Sequence, residues 1–354
     1  MRAKTAVVTV GALAGAMTLA GVASAAPAQH LVVDSTADRP DATPGDGICA
    51  ATGGGCTLRA AVMEADADPG STIVIPAGHY TLTIPPRLGK AFEDYTIGDA
   101  SNGNLKLMQP TTIVGAGADR TVIDGGRLDR VLTTLRPVTI TDLTITGGDA
   151  APTATPYPYY GGGGVLNTSN LVMSRVHITG NSATFGGGVF NIPFSDFKLS
   201  DSLVDGNTAG EAGGIRFDWT GTVERSVITG NRVVNPHDPT RPGELAGLGG
   251  GIDVRGLGID VDDSQVTGNS AEDGGGGINI TLAYFPDPGQ PLNGLLAGFG
   301  GQVRLKNTVV GGNTGDCRAV IAKFVSQGGN TDGDRSCALT QPTDHPGGYR
   351  PSVS

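Results

Sequence analysis

Arg216 and Asp218 lie two residues apart, and so do Asp253 and Arg255. In an extended strand that spacing puts both members of each pair on one face. Each pair follows the same kind of stretch, Gly213-Gly214-Ile215 or Gly250-Gly251-Ile252. If the two strands stack in register, Arg216 lies against Asp253 and Asp218 against Arg255. Phe190 occupies the position equivalent to Arg216, and Trp219, the single tryptophan, adjoins Asp218.

Such a surface suits a sugar polymer, because aromatic faces take the apolar side of a pyranose while fixed Arg and Asp groups bind hydroxyls or carboxylates. A polysaccharide lyase needs a base and a cation to acidify a uronate α-carbon. Arg216 or Arg255 could be that base only if strongly perturbed, with Asp218 and Asp253 holding calcium through their oxygens. A glycoside hydrolase needs two carboxylates, one of them protonated. Asp218 and Asp253, diagonal across adjacent strands, would serve an inverting reaction at a separation of about 6.5 to 9.5 Å. The competing reading is a salt-bridge ladder on an exposed sheet face, where charges alternating across strands keep the face soluble.

Other motifs carry less. Gly115-Ala116-Gly117 has the look of a phosphate loop, but β-branched residues and another turn follow where a helix is needed. Asp34, Asp38, Asp41 and Asp46 have no EF-hand spacing and read as a solvated loop. The five histidines are dispersed without a zinc motif, and no Gly-x-Ser-x-Gly elbow occurs. Asn167-Thr168-Ser169 has the form of a glycosylation sequon, yet Asn167 aligns with Asn191 as an inward residue.

The elements that position these residues form a repeat. Gly-Asn pairs recur at Gly180-Asn181, Gly206-Asn207, Gly230-Asn231, Gly268-Asn269 and Gly312-Asn313, the closest copies 26 and 24 residues apart. Two residues before each glycine stands a β-branched apolar residue (Ile178, Val204, Ile228, Val266, Val310), and seven before it another apolar one (Met173, Leu199, Val223, Val261, Leu305). A polar corner such as Ser174-Arg175 separates the two, so the chain bends between them. A third strand follows the glycine run, with Val165, Val189, Ile215, Ile252 and Ile278 inward and their successors Leu166, Phe190, Arg216, Asp253 and Asn279 outward.

Each unit is therefore one coil of three short strands and three turns. One coil cannot bury its own apolar face, but stacking coils about 4.8 Å apart makes the core continuous. The expected fold is all-β: a right-handed, single-stranded parallel β-helix with a short N-terminal capping helix. The 58 glycines among 354 residues punctuate that repeat, and no Gly-X-Y period accompanies them. Thr57 is placed to N-cap an amphipathic helix through Leu58, Val62 and Met63 that covers the open end.

Residues 1–25 read as a signal peptide: Arg2 and Lys4, an apolar run, then Ala23-Ser24-Ala25. Residues 26–70 form the cap, 71–315 the solenoid, and 316–354 a C-terminal cap and tail. Removing Arg2 and Lys4 takes the formal charge from −10 to −12, which argues against nucleic acid or an anionic membrane surface as the partner, and no membrane insertion is expected. Export makes disulfides the default for the four cysteines. Three pairings exist, and proximity favours Cys49 with Cys56 and Cys317 with Cys337. Residues 151–160, 233–246 and 284–299 break the repeat length as loops, the first two leaving at one edge where they could wall a groove.

Asp46-Gly47-Ile48-Cys49 with Gly55-Cys56-Thr57-Leu58-Arg59-Ala60-Ala61 resembles the CSLREA motif of exported bacterial β-helix proteins, with Ala60-Ala61 where the name-giving sequence has Glu-Ala. The later coils resemble the polymorphic outer-membrane type repeat. The likeness runs through Gly115 to Asp124 and Leu128-Asp129-Arg130-Val131 to Gly328-Gly329-Asn330. It implies a pectate-lyase-like fold and brings no activity with it. The sequence thus supports a secreted, monomeric protein contacting an extracellular acidic polysaccharide, as a lyase, a hydrolase or a binder. The alternative is a non-catalytic surface or matrix protein.

Overall fold

The computed structural model describes residues 28–87, 99–150, 161–234, 247–281, 301–320 and 322–351. The expected export signal, the expected loops at 151–160 and 284–299, and most of that expected at 233–246 lie outside the described residues.

The described chain is a right-handed parallel β-helix. One sheet stacks ten strands from His30–Val32 to Lys323–Ser326, a second nine from Gly78–Thr81 to Thr331–Asp332, and a third eight from Leu105–Leu107 to Cys317–Val320. Like sits over like: Val189 pairs with Ile215, Ile215 with Ile252 and Ile252 with Ile278. The inward positions read from the repeat are fully buried, from Met173 to Leu305 in the ten-stranded sheet and from Ile178 to Val310 in the nine-stranded one. A one-residue slip would turn each of these columns outward, so the alternation pins the register.

The middle coils hold a short fourth strand as well. Asp149–Ala150, Ser182–Phe185, Thr208–Glu211 and Arg232–Val233 form a four-stranded sheet after the Gly-Asn corner. Two to four residues are too few to show a period against the surrounding glycines.

The corners are built in three ways. At the Gly-Asn corner the glycine is left-handed, as at Gly206 (φ 59°), and the asparagine points inward. Each amide donates to the next coil's carbonyl oxygen: Asn181 to Asn207, Asn207 to Asn231 and Asn231 to Asn269 at 3.0 Å, then Asn269 to Asn313 at 3.1 Å. At the polar corner the left-handed residue is charged, for example Arg175 (φ 52°) and Asp201 (φ 51°). In the glycine run the left-handed position falls on Gly186, one residue before Gly187. Gly187 is required for another reason: a Cβ there would stand 2.4 Å from the carbonyl oxygens of both Gly213 and Thr208.

The capping helix spans Leu58–Ala65, and the Thr57 hydroxyl accepts from the Ala60 amide at 3.0 Å. The expectation of an amphipathic helix needs correcting, because all eight residues are buried. Arg59 donates to Asp38 and to the carbonyls of Ala100 and Gly103, and Glu64 accepts the amides of Gly45 and Gly47 at 2.7 and 2.6 Å. The segment before the helix thus wraps its outer side. Its acids are structural: Asp34 accepts from Cys56, Asp41 from Thr43 and Ala50, and Asp46 from Ile48. The disulfides join Cys49 to Cys56 and Cys317 to Cys337. The strands continue past the expected boundary at 315, because Cys317–Val320, Lys323–Ser326 and Thr331–Asp332 add a further rung to all three large sheets.

Candidate functional site

The proposed row occupies the outer side of the eight-stranded sheet, in the register read from the sequence: Phe190 beside Arg216, Arg216 beside Asp253, and Asp253 beside Asn279. The row is not solvent-facing, however. Phe190 and Arg216 are 5% exposed, and Asp253 and Asn279 are fully buried. The reading of a ladder on an exposed face fails for the same reason.

Within the row, the ion pairs run along strands. Arg216 donates from Nε and Nη2 to the two oxygens of Asp218 at 2.7 and 3.2 Å, and Arg255 donates from Nε to Asp253 at 2.9 Å. Two residues apart on one face, these partners meet within their own coil, at the end of the strand. The link between coils is Glu211, whose Oε2 lies 2.7 Å from Arg216 Nη1 and 2.8 Å from Arg255 Nη2. The sequence reading missed Glu211, and the one signal for it is its place five residues after the Gly206 corner. Asp253 also accepts from Asn279 at 2.5 Å, and Asn279 in turn accepts from Arg318 at 3.1 Å.

The Arg216 guanidinium carbon stands 4.6 Å from the ring centre of Phe185 and 5.1 Å from that of Phe190. Phe190 is therefore an inner wall for a cation and not an open sugar platform. With Leu166 and Phe185 it forms a small apolar cluster separate from the main core.

The electrostatics remove the arginines as bases. Burial alone would lower the pKa of Arg216, but Asp218, Glu211 and Asp253 more than reverse this and hold it above its ordinary value. For Arg255, burial is likewise opposed by Asp253, Glu211 and Asp218, with the same net direction. A lyase base needs the opposite shift. Burial raises Glu211 above the usual glutamate range against the pull of Arg255 and Arg216. The oxygens that would hold calcium are already taken: both of Asp218 by Arg216, and those of Asp253 by Arg255 and by the Asn279 amide.

Solvent reaches the edge of this network, where Asp218 is 14% and Arg255 17% exposed. Trp219 follows Asp218 on the turn into the ten-stranded sheet, half-buried, with its ring 4.6 Å from that of Phe194 at a tilt of 42°. Phe194 is 68% exposed and holds a left-handed backbone (φ 66°), uncommon for an aromatic residue. Phe190, the aromatic expected from the sequence, is buried, and Phe194 is the exposed aromatic of that coil.

No protein-family model matches the sequence, and no curated protein matches it. Among solved structures, the chain is similar to rice weevil pectin methyl esterase, with a TM-score of 0.38 and 14% identity, covering 83% of this chain and 91% of that one. It is also similar to the A-module of Azotobacter vinelandii mannuronan C-5 epimerase AlgE6, with a TM-score of 0.37 and 17% identity, covering 78% of this chain and 81% of that one. The A-module of AlgE4 from the same organism gives 0.35 and 13%, covering 82% and 88%.

Proposed function

We propose that this chain is a secreted, non-catalytic carbohydrate-binding rod whose glycan site is the Trp219–Phe194 pair with Asp218 and Arg255 at its margin. One contrast carries the reading: the carboxylates of Glu211, Asp218 and Asp253 are all held by guanidinium groups, whereas the neighbouring aromatic pair opens to solvent. Paired acids and arginines held charged offer no free base, and Glu211, though raised by burial, is 7% exposed and held by both Arg216 and Arg255, away from a ligand on the surface. Tilted aromatic faces rimmed by polar groups are what the apolar side of a sugar ring requires. Arg255 is neutralised by Asp253 and Glu211, and the mature chain is acidic, so a neutral glycan fits better than a uronate polymer. The two disulfides fit an oxidising compartment outside the cell.

Retention on immobilised neutral and uronate polysaccharides tests this. The wild type is expected to be retarded by a neutral polymer, and Trp219→Ala and Phe194→Ala to lose that retardation while keeping the wild-type circular dichroism. Equal retention of all three proteins would remove the site. Release of reducing ends or of unsaturated sugar would overturn the non-catalytic reading.

A further inference from the structure

We infer that the corner joining the ten-stranded and nine-stranded sheets is a self-recognition surface, on which a second copy of this chain docks antiparallel about a two-fold axis. This surface is independent of the aromatic pair.

In five successive coils that corner turns through one left-handed residue: Asp142 (φ 62°), Arg175 (52°), Asp201 (51°), Arg225 (46°) and Asp263 (50°). Glycine would relieve this backbone conformation, yet each position carries a charged side chain. The signs alternate along the rod, one per rung of about 4.8 Å. The charges are accessible, with Arg175 57%, Asp201 40% and Arg225 49% exposed, and Asp263 also exposed. Within one chain, Arg175 grips Asp142 with two bonds of 2.7 Å, and Arg225 grips Asp201 at 2.7 and 2.9 Å. These pairs fix the side chains along the row.

A polyanion laid on this row meets an aspartate at every second rung, and a polycation meets an arginine. The partner whose charges alternate with the same period is another copy of the row. With the two-fold axis between the Asp201 and Arg225 rungs, Asp201 of each copy faces Arg225 of the other, and Arg175 of each faces Asp263 of the other. All four contacts are attractive, and a self-complementary patch is the requirement of an isologous dimer. The row also walls a shallow groove of about 690 Å³ that includes His177 and Leu203. In the antiparallel arrangement the nine-stranded faces of both copies lie on the same side. Leu203 of one copy, half-buried, then approaches the half-buried Val227 of the other.

Exposed ion pairs are individually weak, so the dimer is specified electrostatically and is salt-sensitive. Sedimentation velocity of the mature protein should show a monomer–dimer equilibrium whose dissociation constant rises at least about tenfold between about 50 and about 500 mM salt. D201R places arginine opposite arginine, and R225D places aspartate opposite aspartate, so each alone is monomeric. Mixed in equal amounts, the two variants regain opposite charges at both central contacts and form a heterodimer. Should either variant fail to fold, R175D with D263R makes the same exchange at the outer contacts. A wild type that stays monomeric at low salt, single variants that dimerise like the wild type, or a mixture that stays monomeric would each overturn the inference.

Discussion

Glu211 and Arg216, five residues apart and on different sheets, are joined by a 2.7 Å ion pair in which both side chains are 7% exposed. Glu211→Ala leaves the buried Arg216 guanidinium and the partly exposed Arg255 guanidinium each short of one partner, and removing one member of a buried ion pair costs about 3 to 5 kcal/mol. Glu211→Gln, which keeps a hydrogen-bond acceptor, should cost less. Urea unfolding of the three proteins gives the order; equal midpoints for Glu211→Ala and the wild type would show that the network carries no stability.

Asp66 is half-buried at the C-cap of the capping helix, and the desolvation it suffers there raises its pKa from 3.8 to about 7 in spite of a hydrogen bond from the Met108 amide. The folded state therefore binds more protons than the unfolded chain between these values. Its contribution is complete below pH 3.8 and is lost as the pH climbs through about 7. Stability should fall across that window with a slope of up to about 1.4 kcal/mol per pH unit from this group, and Asp66→Asn should flatten it. Denaturant midpoints at pH 5 and pH 8, compared for both proteins, decide the matter.

Gly187 and Gly206 should respond differently to alanine. At Gly187 the added Cβ collides with two backbone oxygens at 2.4 Å, so the coils must separate and the loss should exceed about 3 kcal/mol. At Gly206 the nearest atom is 3.7 Å away, and only the left-handed backbone resists, at about 1 to 2 kcal/mol. Guanidinium unfolding that ranks Gly206→Ala as the more damaging would contradict the packing argument.

Asn231 sits in the middle of the amide column, accepting from Asn207 and donating to Asn269 and to the carbonyls of Val204 and Thr229. Asn231→Ala strands the Asn207 donor and several acceptors in the interior, a loss of about 2 to 4 kcal/mol. Amide exchange should accelerate most in the coils on either side of position 231, and uniform acceleration along the rod would argue against a local break.

The column from Val165 to Ile278 and the recurring Gly-Asn corners were legible because stacking turns a chain repeat into a spatial one: residues aligned in sequence become neighbours. The register of Arg216 against Asp253 followed from the same rule. The depth of that row was not legible. Alternation tells which side chains avoid the core, and it says nothing of a second layer over the outer face. That layer includes Phe185 and Glu211, which belong to strands too short to announce themselves. The capping helix was misjudged for a similar reason, since Arg59 and Glu64 look like a solvent-facing side until Asp38, Gly45 and Gly47 are seen closing over them.

Because Asn181 hands its amide to Asn207 as Asn207 does to Asn231, cross-section and length are separate variables in this molecule. Excising one full period, from Asn181 through Gly206, would bring equivalent corners together and shorten the rod by a single rung. Cutting the same number of residues out of phase would misalign every column downstream. Change in such a chain is quantised: it gains or sheds whole storeys, while the floor plan stays the same.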